Sequence, residues 1–188
     1  MSSRAVILVP FGVLAVLAVF FTLGYLITTS FGIPQQLGFP PAVRFLGALL
    51  LLSGFVLFGW LFKYRKPRDI LTSTFVTFTK VGKERAYLGE RSGRTEPLVV
   101  KGPYRYVRHP LYFDVLLLLL GWWLLLDYSF LLISALLLLP WFNFVVASFE
   151  EKELRAVFGA DYEEYAKRVP KIIPFTSQLD RVFKESGS

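Results

Sequence analysis

The sequence predicts an all-α polytopic membrane helix bundle: four transmembrane helices, a cytoplasmic loop and a C-terminal helix. Three observations predict it. The 188 residues are 54% hydrophobic, and the apolar ones are gathered into uninterrupted blocks instead of being scattered as in a soluble core. Each block approaches the ~20 helical residues needed to cross a bilayer core of roughly 30 Å. The basic residues crowd into one stretch: twelve Lys or Arg lie between Lys63 and Arg108, against four acids.

The first block runs from Ala5 to Ile27 without a charge. A signal peptide headed by Arg4 is the alternative, but the block is long for one and no small-residue cleavage site follows. The second block runs from about Val43 to Phe62, with Arg44 at its edge. The third runs from Leu111 to Leu126 and holds one acid, Asp114. The fourth runs from Phe130 to Phe149, again uncharged. Backbone polar groups must be satisfied inside lipid, so all four are read as helices.

The loop from Thr28 to Val43 is uncharged, and the turn Asp127-Tyr128-Ser129 has no base. The basic stretch is therefore expected in the cytoplasm, and an even number of spans puts both termini there too. Topology and attraction to anionic lipid account for the net charge of +7, so no nucleic-acid partner is expected. The absence of Cys excludes disulfides, thiolate metal sites and a Cys nucleophile, and a single His excludes a His-cluster metal site.

The regions follow: an N-terminal transmembrane hairpin over 1–62, a cytoplasmic loop over 63–106, a second hairpin with a C-terminal helix over 107–175, and a tail over 176–188. Within the loop, Thr72 to Thr79 reads as a short strand or an interfacial stretch, and Lys80 to Glu96 as a polar loop or lid. Glu150 to Lys167 has helical spacing, with Leu154, Phe158, Tyr162 and Tyr165 near one face. Pro140 marks a kink, and Pro170 and Pro174 end the helical region.

Two constellations carry chemistry. Arg108, His109 and Pro110 stand where the third span begins, with Pro110 at the first helical position. Such a helix start, with Arg108 beside it, suits an anion such as a carboxylate; a basic helix start snorkelling at the interface fits equally. Glu150 and Glu151 stand at the end of the fourth span, either as ligands for a cation or as solvated charges beside Lys152 and Glu153. The last two spans are joined by three residues, so they are antiparallel neighbours. Arg108, His109 and Tyr112 should then lie near Glu150 and Glu151, in a pocket able to hold a zwitterion. Asp114 lies roughly 6 Å deeper than Pro110, either functional or paired with a nearby base.

The string Gly-Pro-Tyr-Arg-Tyr-Val-Arg-His-Pro-Leu-Tyr over 102–112, followed by a hydrophobic hairpin, resembles the isoprenylcysteine carboxyl methyltransferase family and the related phospholipid N-methyltransferases. Glu150-Glu151, Leu154, Phe158-Gly159, Tyr162, Tyr165, Pro170 and Pro174 form the second half of the resemblance, which spans about Leu98 to Phe175. The resemblance implies a membrane methyltransferase that uses S-adenosylmethionine and a lipophilic acceptor. It implies that His109 and Tyr112 contact the cofactor and that Glu150 or Glu151 holds its α-ammonium. Tyr104 and the backbone near Leu98 to Gly102 would flank the adenosine. Arg105 or Arg108 would orient an anionic acceptor, and Asp114 or a Glu would take the proton of an amine acceptor. Asp114 itself is not accounted for by the match. Two other readings stand beside it: a nicotinamide-dependent membrane reductase, and a non-catalytic lipid-binding or assembly subunit. Oligomeric state and the identity of the acceptor are left open.

Overall fold

The structure, a computed structural model, describes residues 3–67, 70 and 97–174. The strand and loop expectations for 72–79 and 80–96, and the tail over 176–188, lie outside the described residues. The described part is helical: α1 (Ser3–Ser30), α2 (Pro41–Tyr64), a 3-10 turn (Gly102–Arg105), α3 (Pro110–Leu126), α4 (Ser129–Pro140), a π-helical turn (Trp141–Val146) and α5 (Ala147–Arg168). The chain divides into a unit of Met1–Gly59 with Asp114–Phe142, and a second unit of Trp60–Phe113 with Asn143–Ser188.

Among the described residues, three helical stretches are long and apolar enough to cross a membrane: Leu8–Ser30, Pro41–Tyr64 and the continuous run Ser129–Arg168. The helix Pro110–Leu126 is apolar but shorter, at 17 residues. Its limits have local causes. Pro110 occupies the first turn, where the missing N–H costs nothing. Asp127 follows at φ 62, a left-handed conformation that closes helices and that Asp tolerates better than most residues.

The first unit is a close-packed bundle with a lipid-compatible exterior. Phe11, Leu14, Phe45, Leu52, Phe55 and Val56 are exposed along α1 and α2. Between helices the spacing is set by small residues, as expected where no hydrophobic force separates protein from lipid. A β-carbon on Gly47 of α2 would fall 2.6 Å from Leu125 N and 2.9 Å from Gly121 O of α3. Ser134 of α4 is fully buried and donates to its own helix at Phe130 O (2.7 Å) and to Phe20 O of α1 (3.1 Å).

At the turn after α3, Asp127 accepts three backbone N–H groups from the α1–α2 loop: Leu37 (3.0 Å), Gly38 (2.6 Å) and Phe39 (2.9 Å). Ser129 adds Oγ to Pro34 O at 2.6 Å and its N–H to Gln35 O at 3.0 Å. The loop itself wraps Asp127, which has no exposed surface although it does not lie deep in the bundle. That enclosure disfavours the charge, but the three N–H donors and Arg44 outweigh it and hold the carboxyl below its ordinary pKa.

The second unit holds the 3-10 turn, the loop before α3 and α5. Val169 leaves the helix in extended conformation, and Pro170 O and Lys171 O accept from Arg108 N and His109 N, each at 2.9 Å. The helix stop near Pro170 is as the sequence predicts. Two details differ from a plain helix leaving the span. A π-helical turn, not a simple kink, follows Pro140, and Lys171 Nζ reaches its Asn143 O at 2.6 Å. Gly159 breaks α5 with φ 51 and ψ −123, backbone angles in practice open only to glycine.

Two outcomes test this packing. Gly47→Ala should lower stability in detergent by about 1–3 kcal/mol, because the methyl meets backbone that cannot rotate aside. Asp127→Ala should lower the thermal midpoint above the ordinary carboxylate pKa. The difference from wild type should vanish as pH falls through the depressed folded-state value, since a lowered pKa stabilises only while the group is ionised. Thermal unfolding across a pH series measures both.

Candidate active site

The helix start at Pro110 presents Arg108 and His109, and the start of α5 presents Glu150 and Glu151. The imidazole of His109 joins the two acids: Nδ1 lies 3.2 Å from Glu150 Oε2 and Nε2 lies 3.4 Å from Glu151 Oε1. Tyr112 Oη donates to the same Glu150 oxygen at 3.0 Å, and its ring stacks on His109 at 5.4 Å. Glu151 is 4% exposed and is matched by Arg108 Nη2 at 2.8 Å and by Arg155 one turn on at 3.6 Å. Burial of His109 on its own opposes the imidazolium, but the hydrogen bonds and charges of Glu150 and Glu151 prevail, so its pKa is raised.

The backbone of 108–109 is fixed from behind by the extended segment after α5. That segment is fixed in turn through Lys171, whose Nζ also donates to Ser148 Oγ at 2.8 Å. Burial pulls the Lys171 pKa down, more than the attraction of Glu151 restores it. Tyr165 Oη donates to Tyr104 O at 2.6 Å and so ties α5 to the 3-10 turn.

Two clefts open on this cluster, both within the second unit. One, of about 470 Å³, is walled by Leu98, Val99, Leu154, Phe158, Tyr162 and Tyr165. The other, of about 390 Å³, is walled by Leu61, Ile70, Pro110, Leu111, His109 and Tyr112. Arg65, Tyr104, Arg108 and Glu150 line both. Apolar walls, a guanidinium and a carboxylate in one cleft suit a ligand with an apolar body and both charges.

The sequence-predicted residues divide accordingly. Leu98, Tyr104, Arg108, His109, Tyr112 and Glu150 come together on the clefts, and Glu151 stands behind as the buried partner of Arg108 and His109. Arg105 is exposed and lines neither cleft. Asp114 belongs to the first unit and lines neither; it is buried, and neither of its oxygens has a hydrogen-bond partner. The expectation that Asp114 pairs with a base is therefore not met; its Oδ1 instead faces α2 at Gly54, 3.5 Å from where a β-carbon there would sit. Reasoning from sequence did not name Arg65, which was one base among many in the run from Lys63 to Arg68. It saw the face of Leu154, Phe158, Tyr162 and Tyr165 but gave it no role as a cleft wall.

The raised His109 pKa has a consequence for stability. The bridge is fully formed below the ordinary histidine pKa and weakens as pH rises through the higher folded-state value. The thermal midpoint of wild type should therefore fall over that interval, and the fall should be absent in His109→Gln.

The family model described as phospholipid methyltransferase matches residues 69–161. A methanethiol S-methyltransferase of Crocosphaera subtropica is 34% identical over 137 residues, 69% of this chain and 48% of the relative. A protein-S-isoprenylcysteine O-methyltransferase of Schizosaccharomyces pombe is 40% identical over 78 residues, 41% of this chain and 33% of the relative. The chain thus spans about half the length of the first and a third of the second. No solved structure matches it. With the Arg-His-Pro segment and the paired acids joined as described, the chain belongs to the superfamily of integral-membrane methyltransferases that includes the isoprenylcysteine carboxyl and phospholipid methyltransferases.

Proposed function

We propose that the chain is a membrane methyltransferase that takes a methyl group from S-adenosylmethionine and transfers it to a lipophilic acceptor. The observation that carries this reading is the state of Glu150. It lines both clefts beside Arg65, Tyr104 and Arg108, and its carboxylate meets His109 Nδ1 and Tyr112 Oη there. The donor set fits the cofactor. Glu150 would hold the ammonium, with His109 and Tyr112 fixing its carboxylate and lying against the same ligand. Leu98, Tyr104, Phe158 and Tyr165 supply apolar and aromatic surface for the adenosine.

Bound there, the cofactor supplies an electrophilic sulfonium methyl. The chain contributes position and exclusion of water. The cleft of Leu61, Ile70, Pro110 and Leu111 offers aliphatic surface to the body of an acceptor, and Arg65 or Arg108 orients an anionic one. The names of the two relatives put the methyl on sulfur in one and on oxygen in the other. The accepting atom is accordingly left open, and the aliphatic wall of the cleft is what favours a lipophilic acceptor.

The topology proposed with this reading has four crossings. The 17 residues of α3 extend about 25 Å, at the short end of what spans a bilayer. The basic stretch from Lys63 to Arg108 then faces the cytoplasm with both termini.

Purified protein in nanodiscs should be stabilised by S-adenosylhomocysteine, by about 2.7 kcal/mol at a hundredfold excess over Kd, and not by NADPH. Stabilisation by NADPH alone would replace this reading with the reductase. Labelled cofactor and a total lipid extract should yield a labelled lipophilic product. Glu150→Gln should weaken S-adenosylhomocysteine binding about tenfold or more, the loss expected for a hydrogen bond to a charged group. Lys152→Ala, at an exposed position, should leave it unchanged.

A further inference from the structure

Two residues that line the cleft walled by Leu98, Phe158 and Tyr165 each carry a buried polar atom without a hydrogen-bond partner. Arg108 commits Nη1 to Ala166 O and Nη2 to Glu151, while its Nε is buried and makes no hydrogen bond. Tyr162 has no exposed surface. Its ring packs edge-on to Tyr165 at 6.0 Å and under the Arg155 guanidinium at 5.9 Å, yet its Oη has no hydrogen-bond partner. Native proteins rarely leave such atoms unsatisfied without a ligand or a role to explain them.

The chemistry of the pair selects the ligand. Arg108 Nε can only donate, and it belongs to a permanent cation. Tyr162 Oη donates readily. The group that satisfies both is an anionic oxygen acceptor. Glu150 lines the same cleft and offers the opposite charge. An α-amino acid end, with one ammonium and one carboxylate, is complementary to all three.

We propose that Arg108 Nε and Tyr162 Oη together receive the carboxylate at the methionyl end of the cofactor, which makes Tyr162 a cofactor-binding residue. The proposal rests on the methyltransferase reading above and deepens it. Tyr162 then serves the ligand and not the fold: its ring fills the wall, and its hydroxyl waits for an acceptor.

The test compares S-adenosylmethionine with its decarboxylated form, which keeps the ammonium and the sulfonium. Equilibrium binding is measured on the full chain in nanodiscs, for wild type and Tyr162→Phe. Wild type should prefer the intact cofactor. Tyr162→Phe should weaken the intact cofactor by roughly tenfold and the decarboxylated one by less than about twofold, the size expected for one hydrogen bond to a charged group. The ligand-free thermal midpoint of Tyr162→Phe should stay level or rise, because the variant keeps the ring and removes an unsatisfied hydroxyl.

Equal weakening of both probes would assign the hydroxyl elsewhere on the ligand and overturn the proposal. So would unchanged binding of the intact cofactor, including the case in which only the KM of an anionic lipid acceptor rises. A lowered ligand-free midpoint would overturn it as well, by showing that the hydroxyl supports the fold. Failure of wild type to bind either probe would overturn the methyltransferase reading itself, a result distinct from all of these.

Discussion

One imidazole between two carboxylates organises the second unit. The only His in the chain has each ring nitrogen against a different, sequence-adjacent acid. Buried acids are disfavoured unless matched by hydrogen bonds and opposite charge. Here Glu151 meets Arg108, Arg155 and the imidazole, and Glu150 meets the imidazole and the Tyr112 phenol. Glu150 lines both clefts, and Glu151 lines neither. With Arg108 paired to Glu151, the bridge makes two contacts between the helix start at Pro110 and the acidic start of α5.

The backbone around this bridge is held by bonds that reinforce one another. Pro170 and Lys171 pair with Arg108 and His109, Lys171 reaches the π-helical turn, and Tyr165 reaches the 3-10 turn. Each bond contributes modestly by itself, roughly 0.5–1.5 kcal/mol. Together they define the atoms that the His109 side chain can meet. The first unit is stabilised by other means: small residues that let helices approach, and the Asp127 carboxylate gathering the N–H groups of a distant loop.

Much of this was legible in the sequence. Uninterrupted apolar blocks announce helices, and three of the four are long enough to cross a membrane. The three-residue turn Asp127-Tyr128-Ser129 implied that His109 would meet the paired acids, and they are within 3.2–3.4 Å. What was not legible depends on atoms without a side-chain signature. The partners of Asp127 are backbone N–H groups nearly ninety residues away. The difference between Glu150 and Glu151 depends on helix phase, which the π-helical turn alters and no periodicity reveals. Arg65 was hidden in a run of bases whose membership in a cleft wall is a matter of tertiary placement. Arg105 shows the reverse case: it sits inside the most informative string and yet is exposed and lines neither cleft.

The break at Gly159 gives α5 a joint. Leu154 and Phe158 stand before it, Tyr162 and Tyr165 after it, and all four wall a single cleft. Nothing lies within 4 Å of where a β-carbon on Gly159 would be, so the requirement for glycine there is one of torsion and not of space. The orientation of one pair of side chains against the other is thus set by the two backbone angles of one residue, with helical hydrogen bonding kept in either arm.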